Sequence, residues 1–137
     1  MRLFLAVSLM AFLASCNMTS GVSADDLPKT GQYRWTKKSI YSDGTSEPGR
    51  SGTRHEVIAD TQGFTDRILN PADNCHDAST SLSGSKILIT ATCREMGIEL
   101  PTTITGKYGK DFWEFRVEMD GPNGKLIEEM RSERTGD

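Results

Sequence analysis

The chain has 137 residues and a formal net charge of −3, and hydrophobic residues make up 36% of it. Acidic and basic side chains are interspersed without a basic block, which argues against binding to nucleic acid or electrostatic docking on anionic lipid headgroups. No stretch reaches the about 20 apolar residues that a membrane-spanning helix needs, so we expect a single non-integral domain.

The N-terminal residues have the pattern of a bacterial export signal. Arg2 supplies a positive charge, residues 3 to 14 form an apolar run, and the run closes with Leu13-Ala14-Ser15-Cys16. This tetrad resembles the lipobox of bacterial lipoproteins, in which a peptidase cuts before the cysteine and the thiol carries the lipid. The pattern predicts a signal peptide over residues 1 to 15 and lipid attachment at Cys16.

A second cleavage position competes with the first. The triplet Val22-Ser23-Ala24 is a small-x-small site, and cleavage after Ala24 would release a soluble periplasmic domain. We favour cleavage before Cys16 because the tetrad lies where the apolar run ends. The residue after the cysteine is Asn17 rather than Asp, and the resemblance to lipoproteins then implies the periplasmic face of the outer membrane.

These signals divide the chain into three parts. Residues 1 to 15 are the signal peptide, residues 16 to 27 are the lipidated cysteine with a flexible polar tether, and residues 28 to 137 are a single β domain. Lipidation or removal of Cys16 leaves Cys75 and Cys93 as a pair. Because an exported chain folds in an oxidising compartment, we expect a disulfide between them rather than a metal site at Cys75-His76.

From Pro28 onward the hydrophobic pattern has a period of two. The clearest strand covers residues 112 to 120, where alternate apolar side chains share one face. A second strand over residues 86 to 93 places Cys93 on its apolar face, and weaker alternation predicts strands over 32 to 39, 53 to 60, 102 to 108 and 125 to 134. The apolar face of the clearest strand consists of Trp113, Phe115, Val117 and Met119.

Turn residues separate these strands and complete the predicted fold. Residues 121 to 124 form a hairpin turn, and residues 42 to 52 form a polar, glycine-rich loop. Asn70 before a proline resembles a helix N-cap and predicts a short helix within residues 66 to 80. The fold class is therefore all-β with one short helix, an antiparallel meander that forms a small barrel or sandwich.

The order of several short motifs resembles a family of small exported bacterial proteins, domain of unknown function 3617. The first motifs are residues 27 to 31 (LPKTG) and the aromatic strand with Tyr33 and Trp35. They are followed by the two cysteines around KILITATC, the pair Thr105-Gly106 before Tyr108, and the sequence RTGD at residues 134 to 137. Members often carry a further cysteine pair, and its upstream half is missing here, since residues 31 to 74 contain no cysteine. The resemblance implies no activity.

Candidate chemistry in the sequence is sparse. Only His55 and His76 could serve as a catalytic base, and both are expected to be surface residues. The glycines of residues 49 to 52 lack the following lysine of a phosphate-binding loop. The remaining acidic candidates for a cation site lack calcium-loop spacing and are expected to be solvated: Asp60, Asp66, Asp73 and Asp77.

The sequence therefore favours a non-catalytic, lipid-anchored envelope protein that acts as a binding or interaction module, without a metal or cofactor. Its partner would be an envelope protein or a small apolar ligand. The alternative is a carrier of a small apolar ligand in a β-barrel cavity. An enzyme of unrecognised type is the third and weakest hypothesis. The aromatic side chains that would line a ligand pocket are Trp35, Tyr108, Trp113 and Phe115.

The lipid anchor can be tested by substitution. We expect Cys16→Ala to move the protein from the membrane fraction to the soluble fraction, because the thiol that carries the acyl chains is lost. Cell fractionation followed by immunoblotting measures this distribution. A mutant that fractionates like the wild type would show that Cys16 is not an anchor.

Overall fold

The computed structural model describes residues 22–69 and 75–137, which form one antiparallel sheet and one α-helix. Among these residues, no helix is long and apolar enough to cross a membrane. In chain order the elements are β1 (Gly31–Ile40), β2 (Arg50–Glu56), α1 (Thr61–Leu69), β3 (Cys75–Ser83), β4 (Lys86–Glu95), β5 (Ile98–Gly109), β6 (Phe112–Gly121) and β7 (Gly124–Gly136).

The sheet is a meander with one hairpin added to it. Strands β3 to β7 follow each other in space, β1 pairs with β7, and β2 pairs with β1, so that the order is β2-β1-β7-β6-β5-β4-β3. Strands β2 and β3 are the two edges, and the sheet is not closed into a barrel. This confirms the predicted all-β meander with one short helix.

Helix α1 connects the two edge strands and covers one end of the inner face. The Asp60 carboxylate accepts a 2.7 Å hydrogen bond from the Gly63 amide and caps the helix. The helix buries Phe64 completely, with ring centroids 5.3 Å from Tyr108 and 5.7 Å from Trp113. Edge-on aromatic contacts of this kind add to the stability gained from burial.

The segment before β1 enters at the end of the sheet that α1 covers. The Lys29 amide donates a 2.8 Å hydrogen bond to the carbonyl of Lys110, in the turn between β5 and β6. Leu27 is buried in the core, and Val22 packs against it. Residues 22 to 27, which the sequence assigns to the tether, thus lie against the domain.

Several elements differ from the sequence prediction. The helix covers residues 61 to 69 instead of starting at Asn70, and Asn70 and the following proline lie outside the described residues. Strand β3 occupies part of the predicted helical region, with only Leu82 buried. Strand β2 begins at Arg50, inside the predicted polar loop, and ends at Glu56.

Gly106 marks a close approach of β5 and β6 and gives a test of the sheet geometry. A Cβ at this position would collide with the Glu114 carbonyl oxygen and come within 2.8 Å of the Phe115 Cα. We expect Gly106→Ala to destabilise the protein by about 1–3 kcal/mol, because backbone must move to accommodate the methyl group. Urea unfolding monitored by circular dichroism measures the loss.

Gly136→Ala is the matched control. Gly136 is also a strand glycine, but no atom lies within 4 Å of a Cβ built there. It should change stability by less than about 0.5 kcal/mol. Equal stability of the two variants would contradict the close approach at Gly106.

Candidate ligand-binding groove

The inner face of the sheet holds a groove of about 540 Å³ beyond the end of α1. Its floor comes from alternate residues of β5, β6 and β7, and its sides come from β1 and β2 on one flank and β4 with the start of β3 on the other. The helix contributes its C-terminal residues, including Ile68 and Leu69. The apolar floor consists of Ile104, Trp113, Phe115, Val117, Met119 and Met130.

Trp35 forms part of one side of the groove because a glycine faces it. Trp35 in β1 pairs with Gly52 in β2. A Cβ at Gly52 would lie 3.0 Å from three atoms of the indole, so the ring lies against the glycine backbone. Trp35 is only half-buried, whereas Trp113 is 3% exposed. The indole of Trp35 is therefore available to contact a molecule in the groove.

The structure brings together three of the four aromatic residues that the sequence assigns to a pocket. Trp35, Trp113 and Phe115 all line the groove. Tyr108 does not line it and packs against Phe64 near the end of β5 that α1 covers. The alternation of β5 places Tyr108 correctly on the inner face, but the helix covers that end of the sheet.

A cluster of arginines and one buried carboxylate forms the charged flank of the groove. Glu56 is 3% exposed, and its Oε1 lies 2.7 Å from the Nε of Arg54. The Nε of Arg67, in α1, lies 2.6 Å from Oε2 of Glu56. This second contact is an ion pair without hydrogen-bond geometry, so Oε2 has no hydrogen-bond donor among residues 22–69 and 75–137. The two guanidinium groups offset the desolvation of the buried carboxylate.

The arginine cluster was not predicted from the sequence. Even-numbered positions of β2 share its inner face, because side chains alternate along a strand. These positions hold Arg50, Gly52, Arg54 and Glu56. That spacing is a period-two signal in charged residues rather than apolar ones. The sequence prediction begins the strand at residue 53 and assigns Arg50 to a polar loop, and its site candidates include histidines, cysteines, acidic residues and aromatic residues but no arginine.

The disulfide between Cys75 and Cys93 lies at the opposite flank of the groove. The two residues pair directly across β3 and β4, with Cα atoms 4.0 Å apart. This confirms the predicted disulfide and the inward direction of Cys93, which is 7% exposed. Closing this loop stabilises the fold by about 3 kcal/mol in the chain-entropy model.

The two histidines lie outside the groove. His55 is exposed on β2, and His76 is half-exposed on β3. The Nδ1 of His76 lies 2.9 Å from Asp77, and its Nε2 lies 2.6 Å from Glu99. A histidine with two carboxylates would suit acid–base chemistry inside a cleft, but this cluster lies on the surface.

The acidic residues considered for a cation site have separate roles. Asp60 caps α1, Asp66 accepts a hydrogen bond from Gln62, and Asp77 contacts His76. Asp73 lies outside the described residues. Within the two described ranges, no group of three or more histidine, cysteine and acidic side chains has an arrangement that could hold a metal ion.

Comparison with known proteins gives no relative: no family model, no curated protein and no solved structure matches the chain. Membership of the family that the motifs resemble therefore stays a prediction. The lipid attachment residue Cys16 lies outside the described part of the chain.

The His76 cluster gives a prediction on pH. Hydrogen bonding to Glu99, and then to Asp77, raises the pKa of His76 above its ordinary value of 6.5. Its contribution to stability is then fully present below pH 6.5 and is lost as the pH rises through the folded-state pKa. We expect Glu99→Gln to lower the pKa of His76, measured by NMR titration of its ring protons.

Glu95→Gln is the control for this titration, because Glu95 is an exposed carboxylate near the end of β4 without an ion pair to His76. It should leave the pKa of His76 unchanged. If Glu99→Gln and Glu95→Gln gave the same pKa as the wild type, the contact with Glu99 would not exist in solution.

Proposed function

We propose that this protein binds a small, largely apolar molecule in the groove on the inner face of its sheet. The observation that carries the proposal is the groove itself. Its volume of about 540 Å³ falls within the range of about 300–1,000 Å³ that is typical of small-molecule sites. Of the two main hypotheses from the sequence, the structure thus favours a ligand carrier, with an open groove in place of a barrel cavity.

The composition of the groove supports an apolar occupant with a polar end. The floor is formed by aromatic, aliphatic and methionine side chains, and methionine adapts to ligands of different shape. The charged lining residues lie along the flanks and on α1, except for Glu128 of β7, which pairs with Lys37 at 3.1 Å. Burying apolar surface of a ligand on such a floor is favourable by about 25 cal/mol per Å².

We further propose that the protein is anchored in the bacterial envelope through Cys16, on the periplasmic face of the outer membrane. The packing of Val22 against the core supports cleavage before Cys16, because cleavage after Ala24 would remove this contact. It would also remove Ser23, whose hydroxyl accepts a hydrogen bond from the Asp25 amide. The N-terminal segment enters beside α1, which leaves the groove end of the sheet free.

A second candidate is a protein-interaction module, and one exposed residue favours it. Met96 lies in the two-residue turn between β4 and β5 with a φ of 51°, a conformation that methionine rarely adopts, and it is 93% exposed. The hairpin turn accounts for the positive φ, but Met96 forms an exposed apolar surface together with Ile98, which is 48% exposed, and such a surface suits contact with a partner protein. Native mass spectrometry of protein extracted from its own membranes would show either a small bound molecule or a protein partner.

Ligand binding can be measured with the neutral apolar probe N-phenylnaphthylamine. We expect saturable binding to the purified mature protein, with quenching of tryptophan emission and a rise in probe emission, because Trp35 and Trp113 line the groove. Val117→Phe should weaken binding by about tenfold, equivalent to about 1.4 kcal/mol, because the larger ring fills part of the groove.

Leu88→Phe is the matched control: it makes a similar enlargement on the outer face of β4, where Leu88 is 47% exposed. It should bind the probe like the wild type. Absence of saturable binding by the wild type, or equal binding by Val117→Phe, would contradict the proposed site.

A further inference from the structure

We propose that the ligand of the groove is an anionic amphiphile, whose carboxylate or phosphate group is held by Arg50, Arg54 and Arg67 while its apolar part lies on the groove floor. This inference rests on the proposed ligand binding and names the chemical class of the ligand. The three arginines all line the same flank of the groove, Arg50 and Arg54 from β2 and Arg67 from α1.

The arginines have unused hydrogen-bond donors. A guanidinium group has five N–H donors. Arg54 and Arg67 each lie closest to Glu56 through Nε, and neither guanidinium group donates a hydrogen bond to a residue of the described ranges. The side chain of Arg50 makes no hydrogen bond or ion pair with any described residue. Guanidinium groups with free Nη atoms bind carboxylate and phosphate oxygens bidentately.

The local charge at the arginines differs from that of the whole chain. The whole chain is acidic, with a net charge of −3. On this flank, however, three guanidinium groups outnumber two carboxylates, Glu56 and Asp66. Glu56 is already shared between two arginines, and Asp66 accepts a hydrogen bond from Gln62. Over the whole lining, four basic side chains are matched by four acidic ones, since Lys37 pairs with Glu128 and Glu95 lies on the opposite flank. The groove is therefore polarised, with excess positive charge at the three arginines and negative charge at Glu95.

The indole of Trp35 lies between two of the positive charges. Arg50 and Arg54 lie on either side of Gly52 along the inner face of β2, and the ring of Trp35 lies against that glycine. An apolar surface and two cationic groups are thus presented together. An amphiphile that enters the groove can place its head at the arginines and its chain against Trp35 without separating the two contacts.

The charges that line the groove could instead serve one of two alternative roles. Inward-facing charges on an edge strand deter pairing with a second sheet, and β2 is such an edge. On the opposite flank, Glu95 has no ion pair among the described residues and would attract a cationic head. Protection of the edge predicts no preference for a charged ligand, whereas recognition by Glu95 predicts a preference for an amine.

The test compares three amphiphiles with the same chain but different heads as competitors of N-phenylnaphthylamine, each below its micelle concentration. They are dodecanoate, dodecanol and dodecylamine. For the wild type we expect dodecanoate to displace half of the probe at a concentration about tenfold lower than dodecanol, and this ratio should fall as salt is added. Dodecylamine should be the weakest competitor.

Variants assign the preference to the arginines. Arg50→Gln removes a guanidinium that has no contact with Glu56, so the fold should be retained, and Arg67→Gln leaves Arg54 paired with Glu56. At least one of the two variants should lose most of the preference for dodecanoate while its affinity for dodecanol stays within about twofold. Arg116→Gln, on the outer face, is the matched control and should keep the wild-type ratio.

Three results would overturn the inference. Equal displacement by dodecanoate and dodecanol in the wild type, stronger displacement by dodecylamine, or an unchanged ratio in both arginine variants would show that the arginines do not recognise an anionic head. In each case binding of the probe and of dodecanol would still support the apolar groove. Failure of the probe itself to bind would instead contradict the proposed function.

Discussion

The contact of Phe64 with Tyr108 and Trp113 determines which part of the sheet is filled. Helix α1 has nine residues and is about 14 Å long. Strand β6 has ten residues and extends over about 34 Å. A helix held at one end of the inner face by Phe64 therefore leaves more than half of the strand length uncovered. The groove follows from this difference in length, because no second helix or sheet among the described residues covers the other end of the inner face.

The strands that are predicted best from the sequence are those that contribute apolar side chains to the buried inner face of the sheet. In β4 and β6 every second side chain is buried or partly buried, so a period of two is visible. Strand β3 is an edge with eight of nine residues outside the core, and nothing in its composition shows that it is paired. The helix was misplaced because Asn70 before a proline is a strong cap signal, whereas α1 contains Gly63 and two threonines, which are weak helix formers.

The candidate site could be predicted only in part, for a related reason. Alternation shows that Tyr108 and Phe115 face inward, but it does not show which of them the helix covers. That distinction depends on the contact between α1 and the sheet, which is not local in the sequence. The arginines were missed because charged residues on a strand usually face solvent, and here the inner face of β2 is itself half open.

The disulfide supports the groove at the end of β3 that lies away from Leu82. Leu82, the buried residue of β3, lies near the end of the strand that faces α1, whereas Cys75 lies at the other end. Between them, a bulge at His76 to Ser79 interrupts the pairing with β4. The Cys75–Cys93 bond therefore holds the edge strand against β4 beside the open groove. An oxidising compartment is consistent with this arrangement, since reduction would remove the covalent link that holds the start of β3 against β4 beside the groove.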